Sequence, residues 1–187
     1  MSAIESLPDV SSLSDSQLRR LAYSLWDFQQ SLSALTFLME ECEFDAKYAA
    51  VELRRFRCFE STVIISFARP FEGSRGQTAV GLRAIGIQLT EQEKQIQERL
   101  MKLRRKVIAH SEEDEMHFNV QLIQPMEDSE LRVPLFRFQE SLYLTSAELL
   151  PLENFLPRLT HAITGALFRL AQSSPHRIEG YRVPLTI

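Results

Sequence analysis

The sequence predicts a mainly α fold, a bundle of about four long helices with a β-hairpin inserted before the last of them. Three observations carry that expectation. Apolar residues recur at helical spacing over four long stretches, two of these stretches open with a capping-box pattern, and one short segment switches to strict alternation. A length of 187 residues suits a single domain over 1–187, large enough to bury a core without disulfide or metal staples. Within it, 14–112 and 147–172 form the bundle, 115–145 the hairpin insertion and 173–187 a tail.

Residues 1–13 read as a flexible lead. Ser14 with Gln17 makes the first capping box, and Leu18, Leu21, Leu25, Phe28, Leu32, Leu35 and Met39 then form one continuous stripe. That predicts a long helix ending near Glu41. A second helix, about 45–69, places Leu53, Phe56, Phe59, Val63 and Phe67 on one face and stops at Arg69-Pro70, where proline forbids another turn. Residues 70–89 form a glycine-rich connector, of a length that in compact domains is either functional or mobile. Thr90 with Glu93 opens the third helix, whose stripe of Ile96, Leu100, Leu103 and Val107 leads to His110. Met116, Phe118, Val120 and Leu122 alternate with polar residues, which predicts a half-buried strand. Residues 131–144 return as a second strand, and Pro134 demands an edge position or a bulge. The last helix buries Leu152, Phe155, Leu159, Ile163, Leu167 and Leu170, with Pro151 and Pro157 implying a bent or late-starting first half. The tail is expected to lie over the surface.

Composition narrows the function classes. No segment approaches the roughly 18 uninterrupted apolar residues of a membrane span, and the N-terminus has neither a basic flank nor an apolar run. Cys42 and Cys58 lack metal-binding or redox spacing and read as reduced core thiols inside helices, so a cytoplasmic location without membrane contact is expected. The formal net charge of −4 argues against indiscriminate nucleic-acid binding. It hides an asymmetry, however: residues 47–106 carry thirteen Lys and Arg against six Asp and Glu, the rest of the chain eight against nineteen. A local positive field inside an acidic protein points to a defined anion site, or else to ion-paired helix surfaces.

The most informative stretch is Leu103-Arg-Arg-Lys-Val-Ile-Ala-His-Ser111. Arginine grips phosphate with a planar fork of donors, and histidine exchanges protons near neutral pH. On a regular helical wheel His110 falls close to the centre of the Ile96/Leu100/Leu103/Val107 stripe, Arg104 flanks it and Arg105 lies opposite. Arg104 is therefore the better partner for His110. Glu60 falls near the Phe56/Val63/Phe67 stripe of the second helix. A carboxylate there either pairs with an arginine such as Arg104 or extends from the stripe's edge into solvent. Met101 and Ile108 make a small apolar patch beside Arg105, which a second subunit would cover. Glu112-Glu113-Asp114-Glu115 reads as a solvated turn that would raise the pKa of His110 by proximity. The connector lacks Gly-Lys-Ser/Thr, the histidines lack zinc spacing and there is no Gly-x-Ser-x-Gly elbow, so no cofactor or metal is expected. Trp26 and the phenylalanines of the second helix read as core or interface.

Residues 103–111 resemble the signature of the HEPN (higher eukaryotes and prokaryotes nucleotide-binding) domain superfamily, an Arg, four to six residues, then His. Many bacterial members read Leu-Arg-Asn-Lys, a short spacer, then Ala-His-Ser. Arg104, Lys106, Ala109, His110 and Ser111 match that pattern, whereas Arg105 stands where the family usually has Asn, Asp or His. Phe67-Ala-Arg-Pro-Phe71 is similar to a Tyr/Phe-x-Arg-x-Phe element of some relatives. The resemblance covers roughly 14–112. It implies a homodimer whose Arg/His helices line a shared cleft, acting as a metal-independent endoribonuclease or an RNA- or nucleotide-binding dimer of toxin or defence type, with an antitoxin or other protein partner. Arg104 and His110 would then be catalytic, with Arg105, Lys106, Arg69, Ser111 and Glu60 in support. The alternative is a non-catalytic helical dimer, a protein-interaction or regulatory module that docks through its hairpin.

Overall fold

The computed structural model describes residues 10–73, 79–108, 118–126, 130–138 and 140–179. It is mainly helical with one two-stranded antiparallel hairpin: α1 (Asp15–Glu41), α2 (Ala50–Ala68), α3 (Glu91–Leu103), β1 (Phe118–Ile123), β2 (Val133–Phe138), α4 (Ser146–Ser173) and α5 (Pro175–Glu179). Helix α1 is the spine, packing along both α2 and α4, while α3 lies against α2 and α4.

The start of α1 is as the sequence requires. Ser14 Oγ accepts from the backbone N–H of Gln17 at 3.3 Å, and Gln17 Oε1 accepts from the Ser14 N–H at 2.8 Å. Leu18, Leu21, Phe28, Leu35 and Leu38 are buried, with Leu25, Leu32 and Met39 at the edge of the core. The stripe also contains small polar residues that let the next helix approach. Ser31 Oγ donates to the Val63 carbonyl of α2 at 3.0 Å, so its burial leaves no unmet donor. Helix α2 begins at Ala50, later than expected, because residues 42–49 form a turn in which the Glu43 N–H donates to Tyr48 Oη at 2.6 Å. It closes through a 3-10 turn at Arg69–Phe71 containing Pro70. The rings of Phe28, Phe67, Phe71 and Phe155 cluster there at centroid separations of 5.3–6.0 Å, joining α1, α2 and α4.

The described part of the connector is packed rather than free. The Val80 N–H donates to the Pro70 carbonyl at 2.8 Å, a 3-10 turn spans Leu82–Ile85, and Val80, Ile85 and Ile87 are buried. Gly86 ends that turn at φ 85, a left-handed conformation that side chains resist. Thr90 and Glu93 then form the second expected capping box, with Thr90 Oγ1 accepting from the Glu93 N–H at 3.2 Å. Helix α3 buries Ile96, Leu100 and Leu103 and continues as a π-helical turn over Arg104–Ile108.

The hairpin corrects several expectations. Strands β1 and β2 pair one-to-one, with Val120 opposite Phe136 and Leu122 opposite Pro134, so Pro134 sits on an edge strand without a bulge. The second strand stops at Phe138 instead of reaching 144, because residues 140–145 leave the hairpin and cross α2. Nor is β1 half-buried: Val120, Leu122 and Phe136 are 45%, 62% and 53% exposed on one face.

Helix α4 starts at Ser146 and runs through both Pro151 and Pro157, so neither proline delays it. Its expected core face is buried at Leu152, Phe155, Leu159, Ile163 and Leu170. The tail is partly helical. In α5, Arg177 donates to the carbonyls of Ser11 and Leu13 and pairs with Asp15, clasping the far end of the described chain to the start of α1. Cys42 is a buried free thiol at the end of α1, which burial pushes up in pKa, whereas Cys58 is exposed on α2 rather than a core thiol. Trp26 is also exposed, at 62%, with Tyr23 beside it on α1. Among the described residues, no helix is long and apolar enough to cross a membrane.

Candidate anion site

Three of the expected site residues come together where the end of α2 meets the π-helical turn. Arg104 pairs through Nη1 with Glu72 Oε2, and Arg105 Nε lies 3.3 Å from the other oxygen of the same carboxylate. Arg69 Nη1 reaches Asp27 Oδ1 at 3.4 Å. Beneath them Arg20 Nη2 donates to the backbone carbonyls of Arg69 and Glu72, clamping the turn that presents both side chains. Three guanidinium groups, Arg69, Arg104 and Arg105, thus share two carboxylates among the described residues, with Arg20 bound to the backbone behind them.

Each contributor is placed by its own local structure. Arg20 and Asp27 are seven residues apart on α1, so they lie on one face, next to the buried Leu21 and Phe28. Pro70 ends α2 and turns the backbone so that Arg69 and Glu72 project over α1. Phe71, between them, is seated on Phe28 and Phe67. The π-helical turn advances each residue by less than the regular 100°, so a standard wheel does not describe 104–108. Such turns recur at functional sites because they re-aim side chains without breaking the helix.

The electrostatics follow from crowding. Burial lowers the pKa of Arg104, and the neighbouring Arg69 and Arg105 lower it further. Burial likewise lowers Arg20, opposed by Asp27. Asp27 is raised by burial, with Arg69 and Arg20 pulling it back down. All three shifts report partial burial, and that of Arg104 also reports cations held close together, an arrangement that an added anion would relieve.

Next to Arg105 the surface opens into a groove of about 470 Å³ lined by Phe71, Gln97, Glu98, Met101, Lys102 and Lys106. Met101 is half-buried in that groove, so it shares a surface with the basic residues; the side chain of Ile108, its expected companion, lies outside what the structure describes. His110 and Ser111 also lie outside the described residues, as does the acidic run 112–115. Lys106 is exposed at the groove's edge.

Glu60 is buried rather than extended into solvent, but it does not join this cluster, and Arg104 pairs with Glu72 instead. It is 1% exposed, and its Oε1 accepts from the backbone N–H groups of Tyr143 and Leu144 at 2.6 and 2.7 Å. Burial pushes its pKa up to about 7, against the pull of those two N–H groups and of Arg57 and Arg99. Arg57 lies over the Tyr143 ring at 4.7 Å, and Arg99 Nη2 donates to the Tyr143 carbonyl at 3.0 Å. Glu60 therefore fastens the 140–145 crossing onto α2. It has a building role, away from the arginines.

Sequence reasoning missed Arg20, Asp27 and Glu72. A signal existed for the first two: charged residues at 20 and 27 adjoin the apolar stripe of α1 at the spacing of two helical turns, where a charge needs a partner. Glu72 carried no comparable mark, lying one residue beyond the Phe67–Phe71 element. No group of three or more His, Cys, Asp or Glu suited to a metal occurs among the described residues. The chain matches no known family model, and neither the curated proteins nor the solved structures contain a significant match to it.

Proposed function

We propose that this protein binds RNA through the arginine cluster and cleaves it without a metal, in the manner of the HEPN-like proteins its Arg104–His110 spacing resembles. The observation that carries the reading is the convergence of Arg69, Arg104 and Arg105 around a site with more guanidinium than carboxylate charge. Arginine forks complement phosphoryl oxygens, and partial burial makes the attraction less sensitive to solvent than at a flat surface. In this mechanism His110 takes the proton of a ribose 2′-hydroxyl as the 2′-oxygen forms a bond to phosphorus. The P–O5′ bond breaks, the leaving oxygen acquires a proton, and a 2′,3′-cyclic phosphate remains. Arg104 stabilises the charge that builds on the phosphoryl oxygens. A second copy would bring its own motif to a shared cleft, with Met101 and Ile108 at the seam, in a toxin- or defence-type protein held in check by an antitoxin.

The test is incubation of mixed RNA with purified protein in EDTA, alongside Arg104→Ala and His110→Ala. Cleavage by the wild type, with cyclic-phosphate ends, that both variants lose would support the enzyme. No cleavage by wild type, or equal cleavage by all three, would remove it.

A second reading, a non-catalytic protein-interaction module, is favoured by one specific observation. The hairpin exposes Val120, Leu122 and Phe136 together on one face, a surface suited to docking.

A further inference from the structure

We propose that Glu72 is a built-in competitor for phosphate in the Arg104–Arg105 fork, so that the site selects a dianionic phosphate group over a monoanionic diester. This rests on the reading of the cluster as an RNA phosphate site. The geometry is that of an internal ligand. One carboxylate offers one oxygen to Arg104 and the other to Arg105, as a phosphate would, and its side chain is only 17% exposed. Its backbone is held independently of its carboxylate: Arg20 donates to the Arg69 and Glu72 carbonyls, the Glu72 N–H donates to the Arg69 carbonyl at 3.2 Å, and Phe71 is packed on Phe28 and Phe67. The carboxylate can therefore swing out of the fork about its own side-chain torsions while the turn stays in place.

Charge decides what can displace it. An internal phosphodiester carries a single negative charge, equal to that of Glu72, and must also give up translational and rotational freedom to bind. Exchange of one for the other gains little. A terminal phosphate monoester carries close to two negative charges at neutral pH, one more than the Glu72 carboxylate it would displace from a fork flanked by a third guanidinium, Arg69. The ligand class is thus a nucleotide or RNA ending in a phosphomonoester, its first nucleoside lying along the groove beside Phe71 and Met101. The dianionic phosphorane formed when a 2′-oxygen attacks a diester has the same advantage, so Glu72 weakens the binding of intact RNA more than it slows cleavage.

The experiment is fluorescence anisotropy with a 3′-labelled 2′-O-methyl octaribonucleotide, which cannot be cleaved through its 2′-oxygen, made with and without a 5′-phosphate. Wild type should bind the phosphorylated probe about 10-fold tighter, and Glu72→Gln should tighten the hydroxyl-ended probe by a similar factor and narrow the preference. Arg104→Ala should abolish the preference. Equal binding of the two probes by wild type, or no change in Glu72→Gln at an unaltered melting temperature, overturns the proposal. Cleavage that depends on Arg104 and His110, with no effect of Glu72 on binding, would leave the RNase reading standing and this inference lost. A Glu72-controlled preference with no cleavage by any variant would do the reverse.

Discussion

Two carboxylates, Glu60 in the middle of α2 and Glu72 just past its closing turn, solve the same problem in different ways. Glu60 is wholly buried and held by two backbone N–H groups, with cations at the periphery. Glu72 is partly buried and shared between two guanidiniums. The first spends its hydrogen bonds on fastening a chain segment, and burial keeps its proton close to neutral pH. The second spends them on cations that a ligand could claim. The comparison teaches that a carboxylate near an apolar stripe does not announce its partner: backbone donors satisfy it as well as an arginine does.

Substitution separates the two roles most sharply. Glu60→Ala strands two buried N–H groups and empties a packed position, so it should destabilise the fold by about 3 kcal/mol in urea or thermal melts. A loss near zero would mean that the 140–145 crossing does not depend on Glu60. The next largest effect is the pH dependence. Burial raises Glu60 from 4.5 to about 7 in the folded protein, so the folded state holds this proton more tightly than the unfolded chain does. Its stabilisation is complete below pH 4.5 and is lost as pH rises through 7, a swing of up to about 3 kcal/mol. Melts of wild type between pH 5 and 8 should show that decline, and Glu60→Gln should flatten it. An equal slope in both proteins would assign the decline elsewhere. The smallest effect belongs to Glu72→Ala, whose ion pairs reach solvent and whose removal should cost no more than about 1 kcal/mol. A larger loss would make Glu72 a structural staple like Glu60 and end the contrast.

Much of the architecture was legible because it is local. Ser14–Gln17 and Thr90–Glu93 are capping boxes that depend on residues three apart, and the α1 stripe is a period in the chain. The hairpin was legible in its pairing but not in its exposure, since alternation at Phe118–Leu122 does not say whether anything covers the apolar face. The site was half legible. Arg104, Arg105 and Arg69 were identified because residue type and spacing marked them. Glu72 and Arg20 were not, because their roles arise only when a turn after α2 folds over a helix some fifty residues earlier. Arg104 is partly buried and Arg105 exposed, the order a regular wheel gives them, although the turn through 104–108 is π-helical.

The π-helical turn has a consequence for how this surface could change. In effect it is an α-helical segment with one residue too many, inserted after the last core position, Leu103. Removal of a single residue between 104 and 108 would restore the ordinary turn and re-aim the residues inside it, while Ile96, Leu100 and Leu103 kept their places. One codon lost is thus enough to re-aim Arg104 and Arg105 relative to Glu72. The aim of that segment is separable, in heredity as in geometry, from the stability of the bundle that carries it.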